Sequence, residues 1–104
     1  MIKSGGEWIP ALTLENLLTS HDQVLEACVI GVPHPQFGER PLALIAGANG
    51  QFPDGEQLRD YLLETIPRWM VPEFIFVDEI AKSTVGKMNK VKLRKDYRDY
   101  YSPA

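Results

Sequence analysis

The sequence predicts an α+β domain, a small and mostly antiparallel three-stranded sheet with helices packed on it and an N-terminal β-hairpin in front. Three observations lead to that class. The chain has 104 residues, the size of one domain with one core. Its apolar periodicity alternates between strand-like and helix-like in the order hairpin, helix, strand, strand, helix, strand, helix. Its two longest apolar runs lie close together with a short Pro/Gly segment between them, which favours antiparallel pairing over parallel βαβ winding.

Met1 to Ile9 alternates apolar and polar residues around Ser4-Gly5-Gly6-Glu7, and adjacent glycines supply the positive φ of a tight hairpin turn. Pro10 to Ser20 carries Leu12, Leu14, Leu17 and Leu18, a spacing that places an apolar stripe on one helical face, with Pro10 suited to the helix start. Val24 to Val32 is apolar and rich in β-branched residues and reads as a buried strand. Pro33-His34-Pro35-Gln36-Phe37-Gly38 carries two prolines and a glycine, so a loop that ends the ladder is expected there. A second strand follows from Arg40 to Ala46, closed by a turn at Gly47-Ala48-Asn49-Gly50. Asp54 offers an N-cap to a helix carrying Leu58, Tyr61, Leu62 and Ile66, which stops at Pro67. Phe74 to Val77 reads as the third sheet strand, Ser83 to Lys87 as a polar loop, and Asn89 to Tyr100 as a charged surface helix.

Composition narrows the function classes. Eleven Lys and Arg against fourteen Asp and Glu give a formal net charge of −3, which argues against sequence-independent binding of nucleic acid. No stretch nears the roughly 20 apolar residues of a membrane span, and the first residues carry no apolar signal core, so a soluble cytoplasmic protein is expected. The one cysteine, Cys28, lies in an apolar run and reads as a small buried hydrophobe. No metal-ligand spacing occurs, and neither His21 nor His34 has a partner that suggests acid–base work. His34, between prolines, reads as a rigid loop element, and the run of Lys90, Lys92, Arg94 and Lys95 as a solvated helix face.

Three segments together resemble the C-terminal domain of the adenylate-forming acyl-CoA synthetases, the family that also includes coumarate ligases and luciferases. They are Ile2-Lys3-Ser4-Gly5-Gly6-Glu7-Trp8-Ile9, then Val29 to Pro35 continuing through Gly38-Glu39-Arg40-Pro41, then Lys82-Ser83-Thr84-Val85-Gly86-Lys87. They stand in the family's order and cover nearly the whole chain. The form of the first two is similar to fatty-acid and related acid ligases, including those for medium chains. Pro10, Ala11 and Thr13, and Ala81 before the last segment, depart locally from the family's pattern without removing a group its chemistry needs.

The resemblance implies that residues 1–104 are the mobile C-terminal lid of an acid-CoA ligase, with the large N-terminal domain as its partner and the hinge residue upstream of Met1. It implies ATP, Mg2+ and coenzyme A, bound mainly through that larger domain, and an isolated fragment without activity. A carboxylate attacks the α-phosphate of ATP to give acyl-adenylate and pyrophosphate, and the thiol of coenzyme A then displaces AMP. By the same resemblance Lys87 bridges the two anions in adenylation, beside Gly86, and Lys3 serves the second half-reaction. Gly5 and Gly6 then leave room for the pantetheine arm with Trp8 walling that passage, Glu7 and Gly86 are further cofactor-binding candidates, and Arg40 and Lys82 are candidates for the phosphates of coenzyme A. The rival reading is a stand-alone interaction module that reuses the fold without chemistry.

Overall fold

The computed structural model describes residues 2–47, 51–80 and 89–101. Their order is β1 (Ile2–Ser4), β2 (Glu7–Ile9), α1 (Ala11–Thr19), β3 (Val24–His34), β4 (Gly38–Gly47), α2 (Gly55–Leu63), a 3-10 turn at Arg68–Met70, β5 (Glu73–Val77) and α3 (Lys90–Tyr97). The α+β class holds. The sheet, however, has five strands rather than three with a detached hairpin, because β1 joins β4 through Ser4 opposite Gly38 and so draws the hairpin in. On the same side of β4 and further along it, β5 adds in parallel, Leu42 opposite Glu73 through Ala46 opposite Val77. The other pairings are antiparallel.

β3 and β4 form the long spine, paired from Val24 opposite Gly47 to His34 opposite Gly38. The expected break at Pro33 does not occur, since Pro33 stays in register opposite Glu39. The phase of the ladder explains this. Val29 gives its N–H outward to the Glu15 carboxylate, at 2.7 Å, and Pro33 shares that phase because side-chain and hydrogen-bond alternation both have period two. The donor that Pro33 lacks would therefore point away from β4, at the free edge of the sheet, where a proline removes no ladder bond.

Alternation along β3 and β4 sends residues to two cores. Ala27, Val29, Ala43 and Ile45 meet α1 and α2 through Leu14, Leu18, Leu58 and Leu62. Cys28, Ile30, Val32, Leu42, Leu44 and Ala46 meet Leu93 of α3 and Ile80 on the other face. Both faces being covered, the strands read as nearly continuous apolar runs rather than strict alternation. Helix starts follow their caps: Asp54 accepts the N–H of Glu56 at 2.9 Å and Asn89 that of Lys92 at 3.1 Å. Pro10 occupies the N-cap of α1 without a side-chain cap bond. α2 ends at Leu63, earlier than Pro67, and Ile66 continues into the core beneath it.

Candidate functional site

Both faces of the β3–β4 spine are covered, and at one end of it four of the sequence-predicted residues, Gly5, Gly6, Glu7 and Arg40, come together. Ser4 and Glu7 pair across the β1–β2 turn, with Gly5 at φ 57° and Gly6 at φ 87°. Two consecutive left-handed residues make a tight hairpin turn that side chains other than Gly, Asn or Asp adopt only under strain. The turn is tied to the β3–β4 loop by the Gly5 N–H, which donates to the Phe37 carbonyl at 2.9 Å.

Arg40 fastens a third segment to the same place. Its Nη1 donates to Ser4 Oγ at 3.1 Å and to the Trp69 carbonyl at 2.8 Å, and its Nη2 to the Val71 carbonyl at 3.3 Å. The guanidinium also lies 5.8 Å from the centre of the Phe37 ring, within cation–π range. Together these contacts frame a cleft of ≈ 580 Å³ lined by Ser4, Gly5, Glu7, Phe37, Arg40 and Trp69. Two rings wall it, and both present apolar surface to solvent, Phe37 at 42% and Trp69 at 44% exposure.

The other hairpin residues face elsewhere. Ile2 and Ser4 point into the protein, so Lys3 and its partner Trp8 point outward. Lys3 Nζ sits 5.6 Å from the centre of the Trp8 ring, and Trp8 is 56% exposed. Trp8 therefore covers no core, and it stands with Lys3 on the face opposite the cleft. The backbone N–H of Lys3 is held by Glu39 Oε1 at 3.2 Å. Lys82, Gly86 and Lys87, with the expected loop around them, lie outside the described residues. So does most of the expected turn after Gly47.

Phe37 and Trp69 escaped the sequence reading as site residues. Their signal was present in kind: each is a large aromatic inside a proline-punctuated segment, Pro33 to Gly38 and Pro67 to Pro72, where rings tend to be exposed rather than packed. Arg40 was read as a candidate phosphate contact, and in this structure its donors go to Ser4 and two carbonyls.

Beyond the cleft, Glu15 of α1 accepts from the Val29 N–H and from Lys90 Nζ of α3 at 2.9 Å, clasping the free edge of β3 from both faces. The adjacent Cys28 thiol is pushed up to about 11 by burial first and by Glu15 second, with Lys90 opposing. Burial, with Glu73 adding to it, also raises the Tyr101 phenol, whose hydroxyl donates to the Pro41 carbonyl at 3.2 Å. Among the described residues no group of three or more His, Cys, Asp or Glu comes together that could hold a metal ion, and no helix is long and apolar enough to cross a membrane.

In this α+β unit a glycine turn, two aromatic walls and an arginine tie meet at one end of the sheet. Over residues 13–87 the sequence matches the AMP-binding enzyme C-terminal domain family, and the chain belongs to that family. It is 42% identical over its whole length to a long-chain-fatty-acid–CoA ligase of Thermus thermophilus, of which it spans 19%. To a 3-methylmercaptopropionyl-CoA ligase of Ruegeria lacuscaerulensis it is 42% identical over 95% of its length, again spanning 19% of that protein. Among solved structures, MatB of Rhodopseudomonas palustris superposes with a TM-score of 0.90 at 33% identity, covering 96% of this chain and 20% of MatB. The chain thus spans about a fifth of the length of the relatives it matches.

Proposed function

We propose that this chain is the lid domain of an ATP-dependent acid-CoA ligase, acting on fatty or related carboxylic acids with coenzyme A as acceptor. The observation that supports the reading is the open cleft at the end of the sheet, lined by Gly5 of the glycine turn and by two exposed rings. Phe37 and Trp69 suit an adenine ring between or against them, since ring stacking is tolerant and strong in partly dry clefts. Gly5, with no side chain, leaves a thin passage beside them for the pantetheine arm. Lys3, on the outer face, is free to meet a second protein surface when the domain docks.

In the first half-reaction the carboxylate oxygen attacks the α-phosphorus of ATP and pyrophosphate leaves. Lys87 is the residue assigned to that step, because an ammonium placed between two anions offsets their repulsion and stabilises the charge of the transition state. In the second, the thiol of coenzyme A attacks the acyl carbon, AMP leaves and the thioester forms. Magnesium, when bound with the nucleotide, supplies further charge neutralisation, and no described residue of this chain is assigned to hold it. Acyl-chain choice falls to parts of the ligase beyond these residues. That fits the spread of acids in the relatives' names, from 3-methylmercaptopropionyl to long-chain fatty acids.

The test joins this chain to the remainder of its ligase and measures pyrophosphate exchange and acyl-CoA formation from acyl-adenylate separately. Lys87→Ala is expected to lower the first about 10²- to 10³-fold, the range for a lost charged or oxyanion donor. Lys3→Ala is expected to lower chiefly the second. Both rates at the parent level in both variants would refute these role assignments.

A further inference from the structure

His34 is not needed by any step above, yet it is the hub of the loop that carries Phe37. It ends β3 opposite Gly38, and its Nδ1 accepts two backbone N–H groups, from Gln36 at 3.0 Å and from Phe37 at 3.2 Å. Its ring lies between two others, 4.9 Å from Phe37 and 5.1 Å from Tyr101, centre to centre. Tyr101 is itself anchored to the Pro41 carbonyl. On its far side Phe37 meets the Arg40 guanidinium and gives its carbonyl to Gly5. One acceptor nitrogen thus shapes the reversal from β3 to β4 and sets the angle at which the Phe37 ring enters the cleft.

We infer that His34 is a positioning residue for the coenzyme-binding cleft: with Nδ1 unprotonated it presents Phe37 as a wall, and a proton on Nδ1 takes that wall away. An imidazolium is a donor at both nitrogens and accepts at neither, so protonation sets one N–H against two others in a space closed by the loop. The inference rests on the cleft reading above and specifies what regulates the same site. Imidazole is the side chain whose charge changes between about pH 5 and 8, and the test spans that range. Among the described residues, the charged and titratable groups near the ring are Arg40 across Phe37, Glu39 on the paired strand, Tyr101 and Tyr100 on the C-terminal segment, and Glu73 near Tyr101. They carry both signs, and the acceptor that holds the loop N–H groups is Nδ1.

The experiment uses the intact ligase and four forms of it, wild type, His34→Ala, His34→Asn and Phe37→Ala. For each, the KM for coenzyme A and the rate of pyrophosphate exchange are measured from pH 5.5 to 8.5. Asparagine offers a carbonyl oxygen to the same N–H groups and does not titrate. At pH 8 the KM for coenzyme A is expected to rise about tenfold in His34→Ala, the size of one or two lost hydrogen bonds, and less than about threefold in His34→Asn. Towards pH 5.5 the wild-type KM is expected to rise about tenfold relative to His34→Asn, a ratio in which the titration of the phosphates of coenzyme A cancels. Pyrophosphate exchange should follow one pH profile in wild type and both His34 forms, which also shows that they are folded. If Phe37→Ala raises the KM while both His34 variants match wild type at every pH, the positioning role is refuted and the cleft reading stands. If Phe37→Ala leaves the KM unchanged, the cleft reading is refuted and the inference with it.

Discussion

Replacing Arg40 by methionine tests whether this residue ties the cleft together or serves a ligand, because methionine keeps an apolar stem over Phe37 and deletes every donor. Three bonds are lost, to the Trp69 carbonyl at 2.8 Å, Ser4 Oγ at 3.1 Å and the Val71 carbonyl at 3.3 Å. Hydrogen bonds from a charged donor are worth about 1.5–3 kcal/mol each when sequestered. This cleft is open, so water can replace much of what is lost, and about 1 kcal/mol for each of the two shorter bonds is the fitting scale. The longer contact adds little. A destabilisation of about 2 kcal/mol follows, which for a domain of about 100 residues lowers the thermal midpoint by roughly 8–16 °C. Arg40→Lys restores one donor without the planar fork and should recover about 1 kcal/mol. Urea and thermal unfolding followed by far-ultraviolet circular dichroism give both numbers. A methionine variant within about 0.5 kcal/mol of the parent would refute the reasoning and return Arg40 to the role of a ligand cation.

Three further outcomes are expected. Glu15→Ala leaves the Val29 N–H and Lys90 without their shared acceptor and should cost about 2–3 kcal/mol in urea unfolding. Glu15→Gln keeps an acceptor for Val29 and should cost about half as much. Between pH 9 and 11 the unfolded chain loses the Cys28 proton while the folded one, with its thiol at about 11, retains it. Stability should therefore fall with rising pH by about 2–3 kcal/mol across that window, and Cys28→Ala, compared with the parent at each pH, should show no such component. Gly6→Ala forces an L side chain to φ 87° in otherwise open space, so a loss of about 1–2 kcal/mol is expected from backbone strain alone.

Much of this architecture was readable before any coordinates. The β-branched runs of β3 and β4, the leucine spacing of α1 and α2 and the Asp54 cap each carry a local signal that tertiary structure had no reason to overrule. The Gly5-Gly6 turn was equally plain, since only positive φ at both positions lets three-residue strands close so tightly. What escaped depends on partners distant in sequence. Whether Pro33 ends a ladder depends on which side of the strand has a neighbour, and a sequence does not show that β3 is an edge. β5 joins in parallel because α2 and the following turn carry the chain back across the sheet, a crossover that four apolar residues cannot announce. Arg40 looked like a surface cation because the two carbonyls it binds belong to backbone 29 and 31 residues away.

The position of the cleft follows from the same constraint that builds the cores. Along β3 and β4 the sheet is covered by α1 and α2 on one face and by α3 and Ile80 on the other. Its free edge is also blocked, at Val29 by the Glu15–Lys90 clasp and at Pro33 by the missing donor. What remains are the loops at the strand ends, and three of them converge: the β1–β2 turn, the β3–β4 loop and the segment from Arg68 to Val71. Each is short and pinned, by Gly5 to Phe37, by His34 to Phe37 and by Arg40 to Trp69. A cleft built this way can be rigid without being deep, so a ligand as long as coenzyme A would reach it with one end only. Under the proposed function, anchoring that end while leaving the thiol free to react elsewhere is the task of the smaller part of a two-part active site.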